Sequence, residues 1–317
     1  MDTPRHDTVL LSEAVEALNV QPGDRVVDTT IGGAGHFSLL LEKLGSAGTL
    51  VGIDADHEAI ERAEAALIAV PEASRPHVVL IEDNFTNLTS ILAQAGVESP
   101  DKVLFDLGWS GFQLSRGRGF SFREDEPLLM TYGDPEKAEN TAADLVNHLS
   151  EASLADTIFA LGEERFARGI ARSIVAAREE APIDTTFALV AAIEAGVPGW
   201  YKHRRLHPAT KTFQALRIAV NDELGALRSG LSSALSSLAV GGRIAVITFH
   251  SIEDRIVKTM FRDAAYAGMG TLVNKKPLVP GSVELLHNPR ARSAKLRVFE
   301  RGVPATITSS TYASVYA

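Results

Sequence analysis

The first hundred residues alternate between short apolar runs and amphipathic segments, and this alternation constrains the fold more than any other feature. Apolar runs predict four strands, at residues 24–30, 49–54, 77–82 and 102–108. Amphipathic spacing predicts the helices between them, at residues 35–45, 57–70 and 88–96. An order of strand, helix, strand, helix predicts a parallel sheet with right-handed crossovers, and therefore a Rossmann-like α/β fold.

The alternation stops after the fourth strand. From about residue 136 to 196 the pattern is helical only, and a long helix is predicted at 208–231 before a fifth strand at 242–249. The sheet therefore resumes after a helical insertion. We predict an α/β domain formed by residues 1–114 and 212–317. An all-helical substrate-recognition subdomain, residues 115–211, interrupts it.

Composition narrows the class of protein. The chain of 317 residues has a net charge of −9 and no cysteine, which excludes disulfides, thiolate metal sites and cysteine nucleophiles. It lacks both an apolar run long enough to span a membrane and an apolar signal core, so a cytoplasmic location is expected. Basic residues are nevertheless concentrated at 115–123, 202–211 and 288–297. These clusters indicate either a local basic face or ordinary solvated charge.

The loop after the first strand indicates a cofactor. In a doubly wound sheet, ligands bind beyond the carboxyl ends of the strands. Here the loop contains Gly32, Gly33 and Gly35, which let a backbone approach a ligand closely, although a tight turn without a ligand could use them too. Asp54 ends the second strand, where a carboxylate accepts hydrogen bonds from ribose hydroxyls. Together they predict a cofactor that contains adenosine.

The same loop distinguishes between cofactors. The dinucleotide pattern G-x-G-x-x-G/A is incomplete, because Ser38 stands at its last position. Asp28 ends the first strand, and its negative charge suits a cationic sulfonium better than a pyrophosphate. We therefore expect S-adenosylmethionine rather than NAD, and no metal. After the third strand, Phe85 could cover the adenine or belong to the core.

Seven segments have a more distinctive sequence. In chain order they are HDTVLLSEAV (6–15), DTTIGGAGH (28–36), DLGWSGFQLSRGRGFSF (106–122), GEERFARGIARSIV (162–175), HPATKTFQALRIAVNDEL (207–224), TFHSIEDRIVK (248–258) and NPRARSAKLRV (289–298). Together they resemble the ribosomal RNA small subunit methyltransferase H family over essentially the whole chain.

The resemblance implies a bacterial enzyme that uses S-adenosylmethionine to methylate the exocyclic N4 of a cytidine in the decoding region of 16S ribosomal RNA. The family's cofactor contacts, transferred by position, fall on Ala34, Gly35, His36, Asp54, Phe85, Asp106 and Gln113. The acidic net charge suggests that a small-subunit particle, rather than free RNA, presents the substrate. A homodimer is compatible with the sequence.

The chain departs from the family pattern at two places. Ala34 stands where the family usually has a glycine, and its methyl group is expected to be tolerated if φ is negative. Leu129 and Thr131 replace an acid and an arginine, which removes an ion pair or an RNA contact.

Catalytic candidates lie at the ends of the fourth and fifth strands. Asp106 and nearby carbonyls are expected to receive the cytosine amine, while Trp109 either stacks on the base or packs against the inserted helices. His250 is a candidate for contact with the base or the RNA. Ser251 and Asp254, three residues apart, predict a helix N-cap.

The candidate RNA contacts are basic side chains, namely Arg116, Arg118, Arg123, Lys211 and Arg217. For the last two, a solvated helix face is the alternative. Two other functions stay open on the sequence: a non-catalytic ribosome-assembly factor that binds the cofactor without turnover, and an NAD-dependent oxidoreductase, which the incomplete glycine pattern disfavours.

Overall fold

The computed structural model describes residues 8–108, 117–132 and 135–303. The described chain forms two compact units, a sheet unit of residues 8–108 and 227–303 and a helical unit of residues 117–132 and 135–226. Each unit is described below by itself.

The sheet unit contains seven strands. They are β1 Arg25–Asp28, β2 Thr49–Asp54, β3 His77–Glu82, β4 Lys102–Asp106, β5 Arg243–Thr248, β6 Gly270–Leu272 and β7 Lys295–Arg301. Their order across the sheet is β3-β2-β1-β4-β5-β7-β6. Strands β1 to β5 are parallel to one another, whereas β7 runs antiparallel to both β5 and β6. The predicted Rossmann-like sheet is confirmed, with β6 and β7 added to the five strands that the sequence pattern indicates.

The helices alternate with the strands and then accumulate in the helical unit. In chain order they are α1 Leu11–Leu18, α2 Gly35–Leu44, α3 His57–Ala69, α4 Leu88–Gln94, α5 Ala142–His148, α6 Glu151–Gly162, α7 Ala167–Glu180, α8 Thr186–Ala195, α9 Gly199–Lys202, α10 Ala209–Asn221, α11 Glu223–Ser237, α12 Ser251–Tyr266 and α13 Ser282–His287. Across the part of the chain that the structure describes, no helix combines the length and the apolar character needed to cross a membrane.

Apolar burial explains why the sheet forms. The central strands read as nearly continuous apolar runs because both faces of a parallel sheet are covered. Val26, Val27, Leu50 and Leu104 are fully buried accordingly. The apolar stripe of α2, which includes Phe37, packs into the same core. This packing holds the carboxyl ends of the strands in fixed positions.

The helical unit has a core of its own. Ile158, Ile170, Ile174, Leu189 and Leu216 are fully buried within one apolar cluster. These residues come from four different helices, α6, α7, α8 and α10. Because α10 contributes to this core, the helical unit extends to Ala226. The subdomain predicted from the sequence ends at residue 211.

The single long helix predicted at 208–231 is wrong. It is broken at Asp222, which adopts the left-handed conformation with φ 42° and ψ 43° and separates α10 from α11. The Asn221 side chain accommodates the break, because its amide donates to the Met130 carbonyl at 2.7 Å and its oxygen accepts from the Tyr132 N–H at 2.9 Å. The end of α10 is thereby tied to a loop far away in sequence.

Strand order locates the ligand crevice. From β1 the chain builds outward to β2 and β3, and it then returns to place β4 and β5 on the other side of β1. The order therefore reverses between β1 and β4, and such a switch point is where open α/β sheets bind ligands. Asp28 and Asp106 are the last residues of these two strands.

Candidate active site at the strand ends

Hydrogen bonds tie together the ends of β1 and β4. The Thr30 hydroxyl accepts the backbone N–H of Asp106 at 2.7 Å. The neighbouring Thr29 hydroxyl donates to the Leu104 carbonyl at 2.8 Å. Sequence reasoning did not select Thr30, because a threonine after a strand carries no signal of its own. In the structure Thr30 holds the backbone of Asp106, the predicted catalytic residue.

His36 pairs with Asp106. It lies in the first turn of α2, is only 3% exposed, and its Nδ1 is 3.5 Å from Asp106 Oδ2. Burial alone lowers the pKa of the His36 imidazole, but the hydrogen bond and charge of Asp106, the charge of Asp28 and the Leu10 carbonyl raise this pKa overall. His36 is thus placed to orient the Asp106 carboxylate.

Asp28, at the end of β1, is a second acid beside His36, and it is completely buried. Burial raises its pKa to about 7, and the charges of Asp106 and Asp54 act in the same direction, against His36 and the Thr30 N–H. The sequence indicates Asp28 only through the charge of the cofactor, whereas the structure places it beside Asp106 and His36.

Two buried carboxylate oxygens in this cluster are unsatisfied. Asp28 Oδ2 and Asp106 Oδ1 have no hydrogen-bond partner within the described ranges. A buried acceptor without a donor is costly, so this arrangement suits a ligand that brings both positive charge and N–H donors. The amino group and sulfonium of S-adenosylmethionine have these properties, and Asp28 and Asp106 are the residues that would meet them.

The glycine loop differs from expectation at Ala34. Its φ is +60°, so the condition of a negative φ is not met and the methyl group occupies a left-handed position. Gly35 is required for another reason, because a Cβ there would lie 1.8 Å from the Thr8 hydroxyl oxygen. Gly32 also has a positive φ, of 52°, and Gly33 follows it in the turn, half-buried. The loop conformation is therefore set partly by close packing inside the protein.

Asp54 supports this loop from the end of β2. Its Oδ2 accepts the Gly32 N–H at 2.8 Å, and its Oδ1 accepts the Asp56 N–H at 2.9 Å. Burial raises the pKa of Asp54 to about 6. Each carboxylate oxygen has a second lone pair, so a ribose contact is compatible with these bonds and stays a prediction.

Phe85 follows β3 and is half-buried. Its ring meets Phe105 edge-on, with the centroids 5.6 Å apart. Gly230 of α11 approaches it so closely that a Cβ at residue 230 would lie 2.8 Å from Phe85 Cδ2. One side of the ring thus belongs to the core, and contact with adenine by the remainder stays a prediction.

His250 caps the helix that follows β5. Its Nδ1 accepts the Glu253 N–H at 3.4 Å, while Glu253 Oε2 accepts the His250 N–H at 3.2 Å. The predicted capping pair of Ser251 and Asp254 is therefore wrong, and the pair lies one residue earlier. Asp254 instead pairs with Arg297 at 2.7 Å and with Lys295 at 3.0 Å, on β7. A catalytic role for His250 remains a prediction.

The candidate RNA contacts in α10 bind other parts of the helical unit. Lys211 donates to the Glu163 carbonyl at 2.7 Å. Arg217 forms a bidentate pair with Glu223, at 2.7 and 2.9 Å. These hydrogen bonds hold the two side chains within the helical unit, so contact with RNA is not needed to explain either residue.

The loop before α5 contains two more candidates. The Arg118 guanidinium donates to the carbonyls of Thr131 and Tyr132 at 3.2 and 3.0 Å, whereas the Arg123 side chain is exposed. Thr131 is buried, and its hydroxyl makes no hydrogen bond to any described residue. Trp109, Gln113 and Arg116 lie outside the described residues.

Known proteins match nearly the whole chain. The model of the MraW methylase family matches residues 3–302. A Deinococcus radiodurans protein named ribosomal RNA small subunit methyltransferase H is 49% identical over 297 residues, covering 93% of this chain and 89% of the relative. Proteins with the same name from Geobacter sulfurreducens and Brevibacillus brevis are 47% and 42% identical over 312 residues, each covering 93% of this chain and 98% of the relative. The chain, with its paired acids at the β1/β4 switch point, belongs to the MraW methylase family.

Proposed function

We propose that the chain transfers a methyl group from S-adenosylmethionine to the exocyclic N4 of a cytidine in the decoding region of 16S ribosomal RNA. The chain is a methyltransferase by family, and the relatives named above are ribosomal RNA methyltransferases of the small subunit. The observation that supports this proposal best is the pair of buried, unsatisfied carboxylate oxygens on Asp28 and Asp106. Such acceptors suit a cationic methyl donor and an amine.

When bound, S-adenosylmethionine supplies a methyl group on a positively charged sulfur, which is already activated for attack by nitrogen. The contribution of the protein is then mainly to position the reacting groups. Asp106 accepts a hydrogen bond from the cytosine amino group and orients its nitrogen lone pair, while His36 and Thr30 hold Asp106 in place. Trp109 stacks on the base, and His250 contacts the base or the RNA nearby.

The remaining cofactor contacts come from the loop after β1, from the ends of β2 and β3, and from the segment after β4. They are Gly33, Ala34, Gly35, Asp54, Phe85 and Gln113. Asp54 receives the ribose hydroxyls, and Phe85 covers the adenine.

The cytidine must be unpaired or flipped for N4 to reach the methyl group. Arg116, Arg118 and Arg123 contact phosphates, with the exposed Arg123 the best placed of those described. Lys211 and Arg217 would contact the RNA in addition to the hydrogen bonds that they make within the helical unit. The acidic net charge supports a small-subunit particle, rather than free RNA, as the substrate. The reaction takes place in the cytoplasm, and it is compatible with a homodimer.

Replacing Asp106 tests the proposal. We expect Asp106→Asn to lower methyl transfer to small-subunit particles from cells that lack the gene by roughly 10- to 100-fold, because it removes a charged hydrogen-bond acceptor. Nucleoside mass spectrometry of 16S RNA would measure N4-methylcytidine, and calorimetry would measure the affinity for S-adenosylmethionine.

Asp101→Asn is the matched control. Asp101 immediately precedes β4, at the opposite end of the strand from Asp106, and pairs with Arg25 at 2.9 Å. It should therefore leave transfer unchanged under conditions in which the protein is folded. Wild-type protein that binds the cofactor yet forms no N4-methylcytidine would reject the proposed reaction and favour a non-catalytic assembly factor.

A further inference from the structure

An exposed tryptophan lies in the helical unit, on a short helix that contains none of the predicted cofactor or RNA contacts. Trp200 is in the short helix α9 and is 57% exposed. Such exposure is unusual for a tryptophan, because burial of its large ring is strongly favourable. Its neighbours are aromatic: Phe166 and Tyr201 meet the indole edge-on, with centroids 5.9 and 5.7 Å away.

An arginine lies over these rings. The Arg165 Cζ atom is 4.7 Å from the Trp200 ring centroid and 4.8 Å from that of Phe166. Arg204 lies over Tyr201, at 5.5 Å. Both arginines are exposed, so they present guanidinium groups to solvent beside aromatic rings.

A buried acid fixes the base of this cluster. Glu164 is completely buried, and its Oε2 accepts the Tyr201 hydroxyl at 2.6 Å while its Oε1 accepts the Phe166 N–H at 2.9 Å. Tyr201 is itself only 6% exposed. The rings beside Trp200 are therefore held in place, which lowers the conformational cost of binding a flat ligand on the exposed indole.

The local charge indicates the kind of ligand. Residues 199–206, GWYKHRRL, contain no acid, and Lys202, His203, Arg204 and Arg205 are all exposed. This concentration of positive charge occurs in a chain with a net charge of −9. An aromatic ring flanked by exposed cations is the combination that binds single-stranded nucleic acid, since bases stack on the ring and phosphates meet the cations.

We propose that Trp200, with Arg165, Arg204 and the basic residues 202–205, forms a platform on which an unpaired nucleotide of the RNA substrate stacks. We call this cluster the Trp200 platform. The inference rests on the proposed function. It also goes beyond that function, because the platform belongs to the helical unit and contains none of the strand-end residues assigned to the reaction. We assign to it a nucleotide other than the methylated cytidine, whose amino group the proposed function gives to Asp106.

Tryptophan fluorescence gives a direct test. The chain has two tryptophans, so Trp109→Phe leaves Trp200 as the only one. In this background we expect a short unstructured single-stranded RNA to quench the emission of Trp200, because a stacked base quenches indole. A duplex of the same sequence should quench much less, since its bases are already stacked on one another.

Affinity measurements test the energetic role. Trp200→Ala should weaken binding of the single-stranded RNA by roughly 5- to 100-fold, the effect typical of losing one stacked base, whereas Trp200→Phe should retain most of the affinity. Phe159→Ala is the matched control, because Phe159 is 64% exposed in the same unit but has no arginine over its ring among the described residues. This control should bind RNA as the wild type does.

The outcomes separate the platform from the proposed reaction. Affinity for S-adenosylmethionine should stay unchanged in Trp200→Ala, Trp200→Phe and Phe159→Ala, which shows that these variants are folded. If Trp200→Ala binds RNA as tightly as wild type while wild type still methylates 16S RNA, the platform is rejected and the reaction stands. If wild type does not methylate 16S RNA but the RNA affinity changes as expected, the reaction is rejected and the platform stands. Quenching by ribosomal proteins but not by RNA would also reject the platform.

Discussion

At the scale of single residues, the strand ends place ionisable groups where their surroundings change their protonation. Asp28 and Asp54 lose hydration, and their pKa values rise to about 7 and about 6. The pKa of His36 rises as well, because Asp106 and Asp28 outweigh the opposing effect of burial. Asp28, Asp54 and His36 thus retain protons to higher pH than they would in water, and a cationic ligand would favour release of the protons from the two acids.

Asp28 allows a test by pH. Its usual pKa is 3.8 and its folded value is about 7. Between these values the folded state holds a proton that the unfolded state has released, so the free energy of unfolding falls as pH rises. We expect Asp28→Asn, which cannot titrate, to reduce that fall. Urea unfolding at several pH values in this interval would measure it.

Asp101→Asn controls for loss of an acid. Although burial raises the pKa of Asp101, its bonds to Arg25 lower it overall, so Asp101 titrates below this pH interval. The control should therefore keep the wild-type slope. Identical slopes in wild type and Asp28→Asn would contradict the proposed protonation of Asp28.

At the scale of secondary-structure elements, the start of α2 contains a conformational conflict. Ala34 is the residue before the helix, and its left-handed φ of +60° suits glycine better than alanine. Its side chain is 5% exposed, so the strain is held by packing within the sheet unit. The predicted helix at 35–45 forms as α2 despite this unfavourable first position.

Ala34→Gly should therefore stabilise the protein. We expect the free energy of unfolding to rise by about 0.5 to 1 kcal/mol, since relief of the left-handed strain exceeds the entropy that glycine adds to the unfolded chain. Denaturant unfolding would measure the change. Ala65→Gly, at an exposed position inside α3, should instead lower it by about 0.5 to 1 kcal/mol. A loss of stability in both variants would show that Ala34 is not strained.

At the scale of the whole molecule, the sheet unit and the helical unit have separate apolar cores, and the Trp200 platform belongs to the helical unit. Most of the predicted cofactor contacts come from the sheet unit. A ligand stabilises the folded segments that bind it, so its effect should be local.

Hydrogen exchange measured by mass spectrometry tests this division of roles. We expect S-adenosylmethionine to slow exchange in peptides that cover residues 25–54 and 102–106, and to change it little in α7 and α8. NAD, added at the same concentration, should protect neither set. Equal protection of α7 and α8 by S-adenosylmethionine would contradict a cofactor site built mainly from the sheet unit.

Local patterns predicted most of the regular structure. The strands and helices from β1 to β4 form within a few residues of their predicted bounds, because continuous apolar runs and a helical apolar stripe are properties of short segments. The helix α1, Leu11–Leu18, was not predicted. The break at Asp222 was not predictable in this way, since it depends on bonds between Asn221 and a loop about ninety residues earlier. The cap at His250 was not predictable from the sequence either, because serine is a preferred cap and histidine is not, and only the folded backbone shows that His250 precedes the helix.

The sequence by itself determined the order of strands and helices, the acids at strand ends, the seven segments that indicate the family, and the basic clusters. Only the tertiary structure decided which of these groups meet. Asp28, His36 and Asp106 are adjacent because parallel strands bring their carboxyl ends to one edge, and Trp200 is flanked by Arg165 because two helical segments converge on the buried Glu164. Desolvation, charge and ring contacts depend on these distances in space, which spacing along the chain does not specify.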